Sequence, residues 1–208
     1  AASDVYKRQA LGFGLVPDDE YEKVFSAMLG HLEQLDYHFD TGIFGTPLLL
    51  KVLTDNGRAD LAYRLMNQRD FPGYSYLLDE KNSTLWETWD GSGDPGGCGH
   101  CHPMFGSVVA WFYHSLAGIR PDKSKPGMKH FYIAPAPVSD LSYCRASYNT
   151  LYGKIISDWH IDERGNFKLN VEIPVNTSAT IVLPQWGKEC AKEPIQVLSG
   201  SYSFKVLK

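Results

Sequence analysis

The feature that most constrains this chain is a change of hydrophobic period near Pro126. Upstream of it, apolar residues recur at helical spacing. Val16-Pro17-Asp18-Asp19-Glu20 reads as a helix start, with proline and acids in the first turn, and Val24, Phe25, Met28, Leu29 and Leu32 follow. Thr46-Pro47 opens a second helix carrying Leu48 to Leu50, Val52 and Leu53, and Asn56-Gly57 stops it. Ala59 to Met66 predicts a third helix, and Phe105 to Ile119 a fourth that ends around Gly118 and Pro121. The stretch from Phe71 to Pro103 is rich in glycine, aspartate and aromatics and reads mostly as loop. Downstream, His130 to Ile133, Gly153 to Trp159, Phe167 to Ile173 and Thr180 to Leu183 alternate as strands of an antiparallel unit, with Arg164-Gly165-Asn166 as a hairpin turn. Helices first and strands afterwards means two segregated units, not a parallel α/β fold. The expected limits are 10–121 for the helical part and 127–208 for the β part. Four helices are too few to close a barrel of paired helices, so the helical part reads as incomplete.

Charge and hydropathy remove several function classes. The net charge is -4 and no Lys/Arg run exists, which argues against a nucleic-acid partner that would need a basic footprint. No apolar stretch approaches the length of a membrane span. Residues 1–9 are set aside as a non-native tail. They lack periodicity, and Ser3 to Gln9 resembles the translated adaptor sequence found at the ends of metagenomic genes. They also lack the apolar core of a signal peptide. The expectation is a gene truncated upstream, which leaves localisation open.

Chemistry concentrates in Thr84-Leu85-Trp86-Glu87-Thr88-Trp89-Asp90-Gly91, two carboxylates and two indoles beside a glycine-rich loop. Glycoside hydrolysis needs two carboxyl groups. In an inverting enzyme one protonates the leaving oxygen while the other deprotonates a water on the opposite ring face, about 6.5–9.5 Å away. Indole faces pack on the C–H face of a sugar. An exposed acidic loop tethered by two buried tryptophans fits the same residues. Cys98-Gly99-His100-Cys101-His102 also matches C-x-x-C-H, the c-type haem attachment pattern, and a zinc site from Cys98, Cys101 and a histidine is a further reading. The pattern occurs once and no second C-x-x-C follows, since Cys144 and Cys190 are isolated. Two incidental thiols, or a short disulfide in an exported protein, complete the alternatives. His31, His38, His114, His130 and His160 show no ligand spacing and read as surface or locally satisfied residues. Tyr74 and Tyr76 fit sugar contact or packing, and Trp111 reads as core.

Several blocks occur in a specific order: Thr41-Gly42-Ile43-Phe44-Gly45-Thr46-Pro47, Leu61-Ala62-Tyr63, Leu85 to Gly91, His102-Pro103-Met104-Phe105-Gly106-Ser107-Val108 and Trp111. Together they resemble the end of the catalytic domain of the bacterial α-L-rhamnosidases of glycoside hydrolase family 78. Ala117 to Pro121, Ser147-Tyr148, Tyr152-Gly153 and Ile173 to Thr177 resemble that family's C-terminal β-sandwich. The resemblance covers roughly residues 10 to 208. It implies the C-terminal part of an (α/α)6 barrel followed by an antiparallel β-sandwich, acting on α-L-rhamnosides with inversion, without metal or organic cofactor. It makes Glu87 the general base and places Trp86, Trp89 and His102 on the rhamnose pocket, with Asp90 as a further hydroxyl contact. The family's general acid lies in an acidic, arginine-containing motif upstream, and no such motif occurs here. The chain alone is therefore expected to be inactive, its N-terminal part missing. Against this stand two rivals: a carbohydrate-binding or architectural β module, and a haem or metal protein built on Cys98, Cys101 and His102. The family does not usually carry cysteines in that loop.

Overall fold

The structure is a computed structural model that describes residues 8–78, 84–91, 99–138, 140–187 and 193–208. The chain divides into two compact units, 1–111 and 112–208. Among the described residues no helix is long and apolar enough to cross a membrane.

In the first unit, residues 8–12 are helical and three longer helices follow. Helix α1, Asp18–Gln34, starts after Pro17 with Asp18, Asp19 and Glu20 in its first turn, where negative charge meets the positive end of the helix dipole. It buries Phe25, Met28 and Leu32, one stripe at helical spacing. Helix α2, Gly45–Asp55, buries Leu49, Leu50, Val52 and Leu53, and α3, Ala59–Met66, buries Leu61, Ala62 and Leu65. The expected stop at Asn56-Gly57 is there. Arg58 N–H donates to Leu53 O at 2.8 Å and Gly57 N–H to Thr54 O at 3.0 Å, with Gly57 at φ +72°, the Schellman closure. Helix α1 ends by the same pair of bonds, Tyr37 N–H to Leu32 O and Asp36 N–H to Glu33 O, at 2.8 and 3.0 Å. Here the left-handed residues are Asp36 and Tyr37, at φ 46° and 57°. Non-glycine residues in that region cost on the order of 1–3 kcal/mol each. Side chains from α3 and just beyond it hold the turn. Arg64 pairs with Asp36 at 3.1 Å and lies 3.9 Å over the Tyr37 ring, while the Gln68 amide donates to the carbonyls of both residues.

Within the expected loop, Tyr74–Leu77 forms a single helical turn, α4. The predicted fourth helix also differs. Phe105–Ser107 is a 3-10 turn and Val108–Trp111 a short α-helix, α5, and in the second unit Phe112–Leu116 is a π turn closed by Ala117 N–H to Phe112 O at 2.9 Å. It stops before Gly118, whose φ is +77°. A Cβ there would lie 2.2 Å from Pro135 N, so only glycine lets the chain pass. Ile119 lies beyond it in a strand.

The second unit is one six-stranded sheet: β1 Ile119–Pro121, β2 His130–Ile133, β3 Tyr143–Thr150, β4 Gly153–Ile161, β5 Phe167–Ile181 and β6 Ile195–Val206. The antiparallel unit expected downstream of Pro126 is present as a curled, mostly antiparallel sheet, in which one pair, β2 with β5, is parallel. The reason lies in β5. Its first half pairs with β4 and its second half with β2, while β6 pairs with both halves. Between Ile173 and Ser178 the register shifts, where Pro174 offers no N–H and Asn176 sits at φ 61°. The ladder is interrupted there, and the sheet curls around its own core. Trp159 is wholly buried at the centre, its Nε1–H donating to Leu116 O at 2.7 Å, and the buried Ser157 hydroxyl donates to Ala117 O at 2.7 Å. The predicted hairpin turn is present. Asp162 accepts from the N–H groups of Arg164 and Asn166 and from the Asn166 side chain, and Gly165 takes φ +76°. Those hydrogen bonds, the Asn166 side chain first, hold the Asp162 carboxyl far below the usual range.

Candidate active site in the first unit

Two short segments are laced together by their backbones. Glu87 N–H donates to Gly99 O at 2.9 Å and His102 N–H to Leu85 O at 2.8 Å, and the Thr84 hydroxyl donates to His100 O. This ladder brings Glu87 and His102, fifteen positions apart in sequence, next to Gly99. A Cβ on Gly99 would lie 3.3 Å from Glu87 Oε2 and 3.7 Å from His102 Cδ2. Gly99 N–H also donates to Glu87 Oε2 at 3.1 Å, which orients the half-buried carboxylate. His102 Nδ1 is buried and has no hydrogen-bond partner among the described residues. Leaving such a group unmet costs about 1–3 kcal/mol.

The two indoles differ. Trp86, half-buried, stacks on the exposed His100 ring, with centroids 4.6 Å apart and planes 20° apart. Gly91, at φ +67°, packs so closely on its six-membered ring that a Cβ would come within 2.3 Å. Trp89 is held by the protein on several sides. Phe39 stacks on it at 5.0 Å, Phe105 leans on it at 4.2 Å and Tyr74 meets it edge-on at 5.3 Å. Its Nε1–H donates to Thr41 O at 2.6 Å. Asp90 is exposed at the turn that follows.

The segment 39–41 that carries Trp89 is itself anchored, and sequence reasoning missed it. Asp40 pairs with Arg8 (Nη2 to Oδ2 2.6 Å) and with His31 (Nε2 to Oδ2 2.7 Å). Burial pushes the Asp40 carboxyl up, but the bonds from Arg8 and His31 outweigh it and hold it below the usual range. Next to it, the Thr41 and Thr46 hydroxyls meet at 2.8 Å, and Thr46 donates to Gly42 O at the entry to α2. The signal available was the Asp-Thr-Gly run before Thr46-Pro47. What the run contacts was not written in it. Arg8 is buried, although it falls in the stretch set aside as a tail; residues 1–7 lie outside the described residues.

Tyr74 is buried, its hydroxyl donating to Phe105 O at 3.0 Å, and burial pushes its phenol well up. Tyr76 is exposed against Phe71, and Trp111 is buried with its Nε1–H on the Thr54 hydroxyl at 2.8 Å. Cys98 lies outside the described residues. Cys101 is an exposed free thiol, and among the described residues no three His, Cys, Asp or Glu side chains gather as a metal site.

Comparison with known proteins joins both units. Residues 3–116 match the family model described as the bacterial alpha-L-rhamnosidase 6 hairpin glycosidase domain, and residues 118–197 that of the bacterial alpha-L-rhamnosidase C-terminal domain. An alpha-L-rhamnosidase of Streptomyces avermitilis is 36% identical over 180 residues, 84% of this chain and 17% of that protein. One from Formosa agariphila is 31% identical over 205 residues, 96% of this chain and 22% of that protein. Among solved structures, the alpha-L-rhamnosidase from Dictyoglumus thermophilum superposes with a TM-score of 0.89 at 33% identity, covering 99% of this chain and 25% of that one. The Streptomyces avermitilis enzyme complexed with L-rhamnose does so at 0.86 and 32% identity, covering 98% of this chain and 21% of that one. The chain thus spans about a fifth of the length of the curated relatives it matches.

Proposed function

Since this chain belongs to the bacterial α-L-rhamnosidase six-hairpin glycosidase family, we propose that it carries the general-base side of an inverting α-L-rhamnosidase site. Its helices are then part of an (α/α)6 barrel whose remaining hairpins, and whose general acid, come from residues outside this sequence. Glu87 deprotonates the attacking water. Gly99 N–H holds Oε2, and Oε1 is the oxygen assigned to the water. The proton moves to the carboxylate as the water oxygen bonds to the anomeric carbon. The aglycone oxygen departs from the opposite face, protonated by the second carboxyl.

The observation that carries this reading is the pairing around Gly99. It sets next to one glycine a carboxylate and a histidine whose buried nitrogen has no partner among the described residues, beside the Trp86 indole. A sugar hydroxyl supplies the partner that His102 Nδ1 lacks among the described residues. Trp86 offers the apolar platform, Asp90 a further hydroxyl contact, and Trp89 lines the pocket through the part of its ring left exposed. A relative bearing the same domain is known in complex with L-rhamnose, which supports the choice of sugar.

The test is made in a protein holding this segment together with its upstream partner. Glu87→Gln should lower kcat by about 10²–10⁴-fold with little change in KM, because water is activated only in the transition state. In Glu87→Ala, azide should restore turnover of an activated aryl rhamnoside and give a glycosyl azide of inverted configuration. A Glu87→Gln enzyme within a few-fold of the parent, or a retained azide product, would remove Glu87 from the role.

A further inference from the structure

A polar cavity lies in the second unit. It measures about 400 Å³ and opens over β2, β5 and β6, with the loop after β1 as one wall. That volume falls within the roughly 300–1,000 Å³ of small-molecule sites.

Strand register explains how it is built. His130 faces Ser178, which faces Leu198; Tyr132 faces Thr180, which faces Gln196. Positions two apart on a strand share a face, so these six side chains form two rungs across three strands. The intervening residues Phe131, Ile133, Ala179, Ile181 and Val197 are buried in the core on the opposite face. An ordinary solvent-facing rung would be exposed. Here His130 is 6% and Thr180 4% exposed.

The two buried groups are joined to Ser178 and Gln196 in one hydrogen-bonded network. His130 Nδ1 lies 2.7 Å from Ser178 Oγ and Nε2 2.9 Å from Thr180 Oγ1. Gln196 Nε2–H donates to Thr180 Oγ1 at 2.8 Å. The chain of bonds ends with the Ser178 hydroxyl at one end and the Gln196 amide at the other, both on the lining of the cavity. Around them stand Tyr132, 37% exposed and edge-on to the His130 ring at 5.7 Å, and the charged pair Asp122 and Lys125. Asp122 is itself fixed, one oxygen accepting from Ser124 N–H and Oγ–H at 2.8 and 2.7 Å.

We propose that this cavity is a saccharide-binding site, separate from the Glu87 site, that takes a single uncharged pyranose unit. The chemistry matches such a ligand. An exposed phenol ring gives a platform for the C–H face, and the hydroxyl of Ser178, the amide of Gln196, the ammonium of Lys125 and the carboxylate of Asp122 stand on the lining for vicinal hydroxyls. One cation and one anion side by side leave no net charge for an ionic ligand. In a glycosidase, such a site would retain a polymeric or branched substrate by a second contact. The binding itself does not depend on what Glu87 does.

The experiment is a titration of the 208-residue chain carrying Glu87→Gln and Trp86→Ala, which disables the first site. Methyl α-L-rhamnoside, methyl β-D-glucoside and methyl β-D-galactoside serve as probes, followed by NMR and calorimetry. The expected result is saturable binding of at least one glycoside with a Kd on the order of 1 mM. The shifts should centre on His130, Tyr132, Ser178 and Gln196. Tyr132→Ala should weaken binding at least about tenfold, and Asp122→Asn should weaken it too, guarding against a Tyr132→Ala variant that misfolds. No saturable binding to about 50 mM of any of the three, or shifts scattered away from β2, β5 and β6, would overturn the proposal. So would unchanged affinity in both variants.

Discussion

At the scale of single residues, Trp86 and Trp89 look alike in sequence and differ in the fold. Trp89 contacts Phe39, Tyr74 and Phe105 and donates to Thr41, while Trp86 stacks on an exposed histidine. Truncation should separate them. Trp89→Ala should destabilise the first unit by about 3 kcal/mol, the low end for a core tryptophan, since Trp89 is half-buried. Trp86→Ala should cost less than half of that, and urea unfolding monitored by circular dichroism measures both. Equal losses would contradict the division of roles. The two indoles flanking a carboxylate are legible in the sequence. Which indole is wedged depends on Phe39, fifty positions upstream, and local spacing carries no such information. Gly99 is hidden for a similar reason. In sequence it reads as filler inside a cysteine motif, and its importance is the passage of Glu87 and His102 next to it.

At the scale of elements, helix boundaries are most legible where one residue carries the physics. Gly57 closes α2 in a left-handed conformation, and a Cβ placed there would meet nothing within 4 Å, so Gly57→Ala should cost about 1 kcal/mol through the backbone alone. Asp36 does the same job for α1 without being glycine. Asp36→Gly should therefore raise stability, by up to about 1 kcal/mol, because the ion pair it gives up with Arg64 is exposed and weak. Thermal unfolding of the two variants should move in opposite directions. The turn after α1 also carries a pH dependence. His38 Nε2 meets Asp70 at 3.0 Å and Nδ1 meets Leu35 O at 3.0 Å, and the Asp70 bond above all raises the imidazole above its ordinary value while lowering Asp70. The stability from a raised histidine is full below its unfolded value near 6.5 and is lost as pH rises through the folded value. That from Asp70 is lost as pH falls into the carboxylate range. The gap in stability between the parent and His38→Gln should thus be widest at mildly acid pH and close toward pH 8. A gap that grows with pH would contradict the pairing. The curled sheet is not legible in the sequence, because β6 spans both halves of β5 and a long-range pairing leaves no mark on local alternation.

At the scale of the molecule, the helical unit presents bare apolar surface. Phe13, Leu15 and Phe44 are each at least 65% exposed, and a cavity of about 480 Å³ lies among Phe13, Phe44, Leu48 and Met104. Patches of this kind drive association. The 208-residue chain should self-associate with concentration in analytical ultracentrifugation, and Phe13→Ser with Phe44→Ser should reduce it. It should also fail to turn over an aryl α-L-rhamnoside, since the mechanism needs a second carboxyl that no upstream-type motif supplies here. Turnover above a Glu87→Gln control would contradict that. The order of helices and strands, the family and the Glu87 segment are all readable in the sequence. Which backbone groups meet across the curl is not.

The bonds from Trp159 to Leu116 and from Ser157 to Ala117 carry a consequence for how such proteins can be recombined. The deepest indole and hydroxyl of the sheet end on carbonyls that, by secondary structure, belong to the last helical turn and the residue after it. A gene fusion cut at the helix–strand transition, after Ala117, would leave both donors buried with no acceptor, a loss of about 1–3 kcal/mol each. The natural unit of exchange therefore begins inside the helix, near Phe112, and a graft of 112–208 onto another scaffold should unfold cooperatively where one of 118–208 should not.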